Sequence, residues 1–477
     1  MERREFLKLT GTALASALIS PQLCSYGKTR NKPNLIFILC DDLGYGDPSC
    51  YGGTKIDTPN IDALASDGMK FTQFYAGSPV CTPTRISCMT GHYPLLYNAT
   101  TFWFSGPHRL PEGTVSLAHL LQSGGYATTH IGKWNLTGMQ KEHIDARIAG
   151  KPTLPGPIEM GFDEYLTIIE GQGIHLQLDR QGYFQRKGAG YMYYNDKPFP
   201  PAQGWMDDVC VDEGLKMIEK YNKADRPFFM NVWYCAPHTP YEPAPEPHLS
   251  KYKARGATGN DLLYRSMVSN MDASIGTIVA KLKKLGIYEN TFIFFTSDNG
   301  PTNVTGTSSG PLREGKATLY EGGIREPMIA VWPGHIPAGT ETNTLGHTND
   351  LLPTFCAAAG VNVPKKLEID GLNLLPHMTK GKEVKDRGTV FWQLDRFRNT
   401  KDWPTEVARR GKWKLLACDN GRAVELYDIE KDPGETINLI DKKPEIAKQL
   451  TAELKAWLAK PRMCPRYDPY GKLLEEI

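Results

Sequence analysis

The sequence predicts an α/β protein: a large, mixed, mostly parallel sheet flanked by helices, with a smaller C-terminal α+β domain. Three observations lead there. Up to about residue 375, short apolar runs that read as buried strands alternate with stretches of helical periodicity. Polar clusters follow the apolar runs directly, at the strand ends where open parallel sheets bind ligands. From about residue 376 the pattern shifts to short strands separated by turns, and a helix follows them.

Taken in order, residues 1–30 read as a signal and linker, 31–375 as the main domain and 376–477 as the C-terminal α+β domain. "MERREFLKLTGTALASALIS" sets Arg3-Arg4 before a mildly apolar stretch free of acidic residues, the pattern of a twin-arginine-type export signal. That predicts a periplasmic or otherwise exported protein. "NLIFIL" (34–39) is a buried strand that runs into "CDDLGYGD". "PTRISCMT" reads as a short helix, with Thr82 as cap, Pro83 at the first helical position and Gly91 as the stop. "SLAHLLQSGG" (116–125) is a helix closed by glycine, followed by the strand "YATTHIGKW". "PFFMNVWYCAP" (227–237) and "TFIFFTSDNG" (291–300) are strands that break into turns, with a long helix at 262–286 between them. "GTVFWQL", "VARRGKWKLLACD" and "AVELYDIEKDPGE" are the short C-terminal strands, and 445–460 is the helix after them.

Composition narrows the function. A chain of 477 residues with 40% hydrophobic and 23% charged residues is ordinary for a globular protein with a sizeable core. A formal net charge of +2 gives no reason to expect nucleic acid as a partner, so any anion preference comes from local placement. No apolar run approaches a membrane span. The 10 cysteines fall at no paired or CxxC spacing, which argues against a disulfide framework and a zinc site. Cys24 follows Leu23, a poor context for a lipid anchor.

The candidate chemistry sits in "SPVCTPTRISCMTGHYP" (78–94). The predicted helix puts Cys81 at its positive end, with Arg85 one turn in as a permanent cation. Reactive cysteines favour such electropositive helix starts, whereas structural ones sit in apolar surroundings. Asp41-Asp42 and Asp298-Asn299 each follow an apolar strand and offer oxygen ligands that suit Ca²⁺ or Mg²⁺. Either pair alone also reads as a solvated turn. His238, set between prolines, on its own reads as a loop histidine.

"CTPTR" followed by "MTG" resembles the signature of the type I sulfatases, the formylglycine-dependent branch of the alkaline phosphatase superfamily. The resemblance runs from about residue 33 to the C-terminus, through "PNLIFILCDDLGYGD", "HIGKWN", "CAPHTPY", "FTSDNG", "LREGKATLYEGGIREP" and "LYDIEKDPGETINL". It implies an alkaline phosphatase-like fold, with residues 31–375 as the catalytic domain. It also implies that Cys81 is oxidised to formylglycine by a maturation enzyme, and that the hydrated aldehyde attacks sulfur. By the same resemblance Asp41, Asp42, Asp298, Asn299 and the residue 81 oxygen bind Ca²⁺, or Mg²⁺. Arg85 and Lys133 stabilise the nucleophile, Lys316 holds sulfate oxygens, and His238 protonates the leaving group.

One position departs from the pattern. The family's GKWH histidine is here Asn135, which hydrogen-bonds but accepts no proton at neutral pH. The expected activity is release of sulfate from a sulfated carbohydrate or small aryl ester. Its rivals are a phosphonate or phosphate diester hydrolase on the same scaffold and, because of Asn135, a non-catalytic binder of sulfated glycans. The stretch 173–199, rich in tyrosine and carrying Arg186 and Lys187, reads either as a sugar-stacking loop or as a surface insertion packed by its own aromatics.

Overall fold

The computed structural model describes residues 32–467 and 472–475, apart from 103–109, 140, 152, 169–176, 179–191, 201, 303–305, 396–399 and 401. The export-signal reading and most of the 173–199 stretch lie outside the described residues. Five strands form the parallel heart of an 11-stranded sheet, in the order Thr291–Ser297, Asn34–Cys40, Phe228–Trp233, Ala127–Lys133, Glu164–Ile168. Arg325–Val331 joins antiparallel to Thr291–Ser297 and carries Met69–Tyr75 beyond it. The predicted mostly parallel sheet is therefore present. Periodicity does not single out Met69–Tyr75, Glu164–Ile168 or Arg325–Val331.

Strand alternation splits the core into two layers. Phe37 and Leu39 pack on one face with Phe294 and Phe355, while Ile36 and Ile38 pack on the other with Ile275 and Ile293. Burying each such side chain contributes about 1.5–3 kcal/mol. The long helix Gly259–Lys284 covers the second face and begins earlier than its apolar periodicity suggests. The helix Leu117–Ser123 starts with a capping box: Ser116 Oγ accepts the His119 N–H at 3.2 Å, and His119 Nδ1 accepts the Ser116 N–H at 3.2 Å.

A second, 4-stranded antiparallel sheet runs Val390–Gln393, Glu406–Arg410, Trp413–Cys418, Arg422–Asp428. The helix Pro444–Leu458 covers one face through Leu450, Leu454 and Trp457. The other face docks on the main body, where Trp392, Val407 and Leu416 meet Tyr75, Val80 and Leu319. Polar contacts cross the same boundary. Trp392 Nε1 donates to the Ala76 carbonyl at 2.7 Å, and the buried Lys414 ammonium lies 3.0 Å from Glu321 and 2.8 Å from Glu435. The segment that leads into Cys81 is thus braced by the C-terminal sheet. No described helix is long and apolar enough to cross a membrane.

Candidate active site

The parallel strands bring their C-terminal ends together in register. Leu39 pairs with Thr296 on one side and with Trp233 on the other. The loops beyond are knitted by backbone bonds: Asp298 N–H to Cys40 O at 3.0 Å, Asp41 N–H to Ala236 O at 3.2 Å and Tyr234 N–H to Leu39 O at 2.9 Å. This gathers Asp41, Asp42, Asp298 and Asn299 with Lys133, the last residue of its strand, and His238, in the loop after Phe228–Trp233. Asp42 turns through a left-handed conformation with φ 68°, which aspartate tolerates better than most residues. Gly132, ahead of Lys133, has no substitute: φ is 96°, and a Cβ there would lie 1.9 Å from Trp233 O.

Cys81 is the first residue of the helix Cys81–Thr90, all of whose residues are buried. This corrects the expectation that Thr82 caps the helix and Pro83 opens it. Val80 occupies the cap position without a side-chain bond. The local pinning comes from Thr84, whose Oγ1 accepts the Ser78 N–H at 3.0 Å and donates to Ser78 O at 2.8 Å, fixing the turn into the helix. Gly91 ends the helix as expected, with φ 73° and its N–H on Ser87 O. Burial raises the Cys81 thiol pKa, while Lys133 and Lys316 pull it down.

Around Cys81, cations and carboxylates interleave. Arg85 donates to Asp298 Oδ2 from Nε at 3.1 Å and from Nη2 at 2.7 Å, and from Nη1 to Lys133 O at 3.2 Å. Lys133 Nζ contacts Asp41 Oδ2 at 2.5 Å, and Lys316 Nζ contacts Asp42 Oδ1 at 2.7 Å and Oδ2 at 2.8 Å. Asn299 Nδ2 donates to Asp42 Oδ1 at 2.7 Å. Against the cost of burial, Lys133, then His238 and Arg85, hold the Asp41 carboxyl well below the usual carboxylate range. Burial and the Asp41 charge push Asp298 up. His238 Nδ1 lies 2.5 Å from Thr239 O, which fixes Nε2 as the nitrogen facing Asp42, 3.8 Å away. Burial, and then Lys316, depress the imidazole to about 4.

The donor set fits a hard divalent cation. Ligand atoms of Asp41, Asp42 and Asp298 all lie within 4.8 Å of one another, and so do those of Asp41, Cys81 and His238. Asp41 Oδ1 and Asn299 Oδ1 are buried without a hydrogen-bond partner, and a cation would satisfy both. Every residue singled out in the sequence for this site is therefore brought to it or to its edge. Asn135 is half-buried, holds φ at 44° and accepts a bond from Thr82 Oγ1 at 2.9 Å. Sequence reasoning misses Trp233, whose ring lies 5.0 Å from the Arg85 guanidinium. An aromatic residue inside a buried apolar strand gives no signal of such a contact.

Residues 33–361 match the sulfatase family model, and residues 290–463 match that of the N-sulphoglucosamine sulphohydrolase C-terminal region. The chain belongs to the sulfatase family. That places it in the alkaline phosphatase superfamily and makes it a sulfuric ester hydrolase. Among its relatives is the N-acetylgalactosamine-6-sulfatase of Sus scrofa, 34% identical over 380 residues, or 73% of this chain and 66% of the relative. Arylsulfatase A of Homo sapiens is 32% identical over 464 residues, or 86% and 83% of the two chains. The solved structure of Ps i-CgsB in complex with k-i-k-neocarrahexaose superposes with a TM-score of 0.79 at 29% identity, covering 93% of this chain and 95% of that one. Sulfatases use formylglycine and a divalent metal, and the Asp-rich cluster is this chain's candidate seat for the metal.

Proposed function

We propose that this sulfatase removes sulfate from a sulfated carbohydrate with Ca²⁺ at the acidic cluster and residue 81 as formylglycine. The observation that carries the reading is the pair of overlapping clusters, Asp41–Cys81–His238 and Asp41–Asp42–Asp298, each with its ligand atoms within 4.8 Å of one another. A carbohydrate is favoured because the relatives include an N-acetylgalactosamine-6-sulfatase and a protein crystallised with k-i-k-neocarrahexaose. Calcium is favoured because the donors of Asp41, Asp42, Asp298 and Asn299 are all oxygen and come in pairs from two loops, and Ca²⁺ tolerates an irregular shell where Mg²⁺ demands a near-ideal octahedron.

Asp41, Asp42, Asp298 and Asn299 would hold the cation, which supplies positive charge to a sulfate oxygen. Oxidised to formylglycine, residue 81 supplies a hydrated aldehyde as the nucleophile. Arg85, fixed by Asp298 and the Trp233 ring, holds the helix start that presents it. Lys133 orients its hydroxyls, and Lys316 takes the remaining charge on the sulfate. His238 delivers its Nε2 proton to the alcohol oxygen as the sulfur–oxygen bond breaks. An arriving anionic ester favours that protonated imidazole, offsetting the depression burial imposes. Asn135 fixes the backbone beside residue 81 through Thr82 and replaces the family's histidine without carrying a proton. The chain is read as exported and periplasmic, with a formylglycine-generating enzyme as its maturation partner.

The test is release of free sulfate from a panel of sulfated oligosaccharides by protein co-produced with such an enzyme and loaded with Ca²⁺, beside phosphate mono- and diesters. Protein with the aldehyde at residue 81 should release sulfate and little phosphate. Phosphate release without sulfate release, or full activity with only unmodified cysteine at 81, ends the reading.

A further inference from the structure

One buried carboxylate stands behind the site without touching it. Asp207, in the first turn of the helix Met206–Lys223, is 2% exposed. Its Oδ1 accepts the Cys235 N–H at 3.0 Å and its Oδ2 the Ala236 N–H at 2.9 Å. The carbonyls of the same two residues reach the site: Cys235 O, on the peptide whose N–H is that of Ala236, accepts the His238 N–H at 3.0 Å, and Ala236 O, on the next peptide, accepts the Asp41 N–H at 3.2 Å. Cys235 and Ala236 are themselves fully buried, so water cannot replace the carboxylate as acceptor.

We propose that Asp207 is a positioning residue for this sulfatase, clamping the Cys235–Ala236 peptides so that His238 and Asp41 are held in one frame. Losing the clamp leaves two buried N–H groups without acceptors and frees the loop that aims His238 Nε2. The neighbouring Asp208 serves as a contrast. Its oxygens accept from Asn270 Nδ2 at 3.1 and 3.2 Å, which ties the same helix turn to another helix and not to the loop.

The inference rests on the proposed role of His238, and its test separates the two. Asp207→Asn keeps the shape but sets an amide N–H₂ against a backbone N–H. Hydrogen exchange of peptides spanning 235–241 should speed up in Asp207→Asn and stay at the wild-type rate in Asp208→Asn, read on protein shown to be folded by circular dichroism. Unchanged exchange in Asp207→Asn overturns the clamp whatever the assays give. In turnover, Asp207→Asn should lower kcat/KM about tenfold on sulfate esters of poorly acidic sugar alcohols and no more than about twofold on those of acidic phenols, the smaller share of the general-acid effect. In a His238→Ala background the same substitution should cost less than about threefold on either, because the two act as one unit. An equal factor in both backgrounds on the sugar-alcohol esters overturns the proposal. Faster exchange together with a His238→Ala loss that ignores the leaving group keeps the clamp and removes His238 as the acid. If Asp207→Asn does not fold, Asp207→Glu, with both acceptors kept but displaced, takes the same measurements and must show the same pattern.

Discussion

Thr82 Oγ1 donates to Asn135 Oδ1 at 2.9 Å, joining the residue after Cys81 to the end of the strand that carries Lys133. Asn135 is therefore a brace as well as a departure from the family pattern. Asn135→Ala loses the acceptor and also strains a residue with φ 44°. We expect it to lower kcat/KM by roughly tenfold, an ordinary cost for one hydrogen bond. Asn135→His should cost less, and Thr82→Val should reproduce most of the Asn135→Ala loss. Steady-state rates on one sulfated oligosaccharide check this, and a silent Thr82→Val would show that the bond contributes nothing to turnover.

Asp298 binds Arg85 and, in the proposed site, would hold the cation as well. Asp298→Ala should abolish stoichiometric Ca²⁺ binding and leave Arg85, which is 0% exposed, with only its longer 3.7 Å contact to Asp41. Removing one member of a buried pair costs about 3–5 kcal/mol. Metal content by mass spectrometry and denaturant unfolding read the two effects separately. Asn299→Ala should weaken metal binding with little loss of stability. A variant at 298 that binds Ca²⁺ normally would refute the assignment.

His238→Ala should slow esters of weakly acidic alcohols by roughly 10²–10⁴, the usual range of general acid help, and esters of acidic phenols by much less. Plotting kcat/KM against leaving-group acidity gives the answer. Parallel lines for wild type and variant would mean that His238 only orients substrate.

The contact between the two sheets predicts a pH effect on stability. Lys414 lies between Glu321 and Glu435, and Glu321 also meets Arg325 at 3.4 Å. Glu321 resists the cost of burial and is held down to about 2 by Lys414, with Arg409 and Arg325 behind it. Burial and the Glu321 charge push Glu435 up to about 7 from 4.5. A carboxyl whose pKa is raised in the fold stabilises it fully below the unfolded value, and that stability is lost as pH rises through the folded one. Unfolding free energy should fall from about pH 5 to about pH 8, by up to about 3 kcal/mol from this group. Glu435→Gln should flatten that slope and leave the variant more stable than wild type at the alkaline end. Denaturant titrations across the range decide it, and an unchanged slope would exclude Glu435 as its source.

What the sequence discloses depends on how local the cause is. The Asn34–Cys40 strand is readable because seven buried residues precede two aspartates, and the acid pairs are readable because each follows such a run. The helix start at Cys81 is misread because Thr82 and Pro83 look like a cap and a first turn, while the side chain that fixes the turn, Thr84, bonds backward to Ser78. Asp207 is not readable at all. Its partners are 28 and 29 residues away, and a pair of aspartates at a helix start has a sufficient local explanation in the helix dipole. Arg85 against Trp233 is hidden for the same reason, since it joins two segments that meet only once the sheet exists.

The burial of the Cys81–Thr90 helix sets a deadline during synthesis. Every one of its residues is enclosed, and Trp392, made hundreds of residues later, fastens Ala76 just ahead of it. The enzyme proposed to oxidise Cys81 would grip the CTPTR segment only while the chain around it is still open. On that proposal oxidation and folding would race, and a molecule that folds first would be sealed in a stable but inert form. Overproducing the chain faster than its maturation partner can act should yield protein that is well folded, homogeneous by size and largely without turnover.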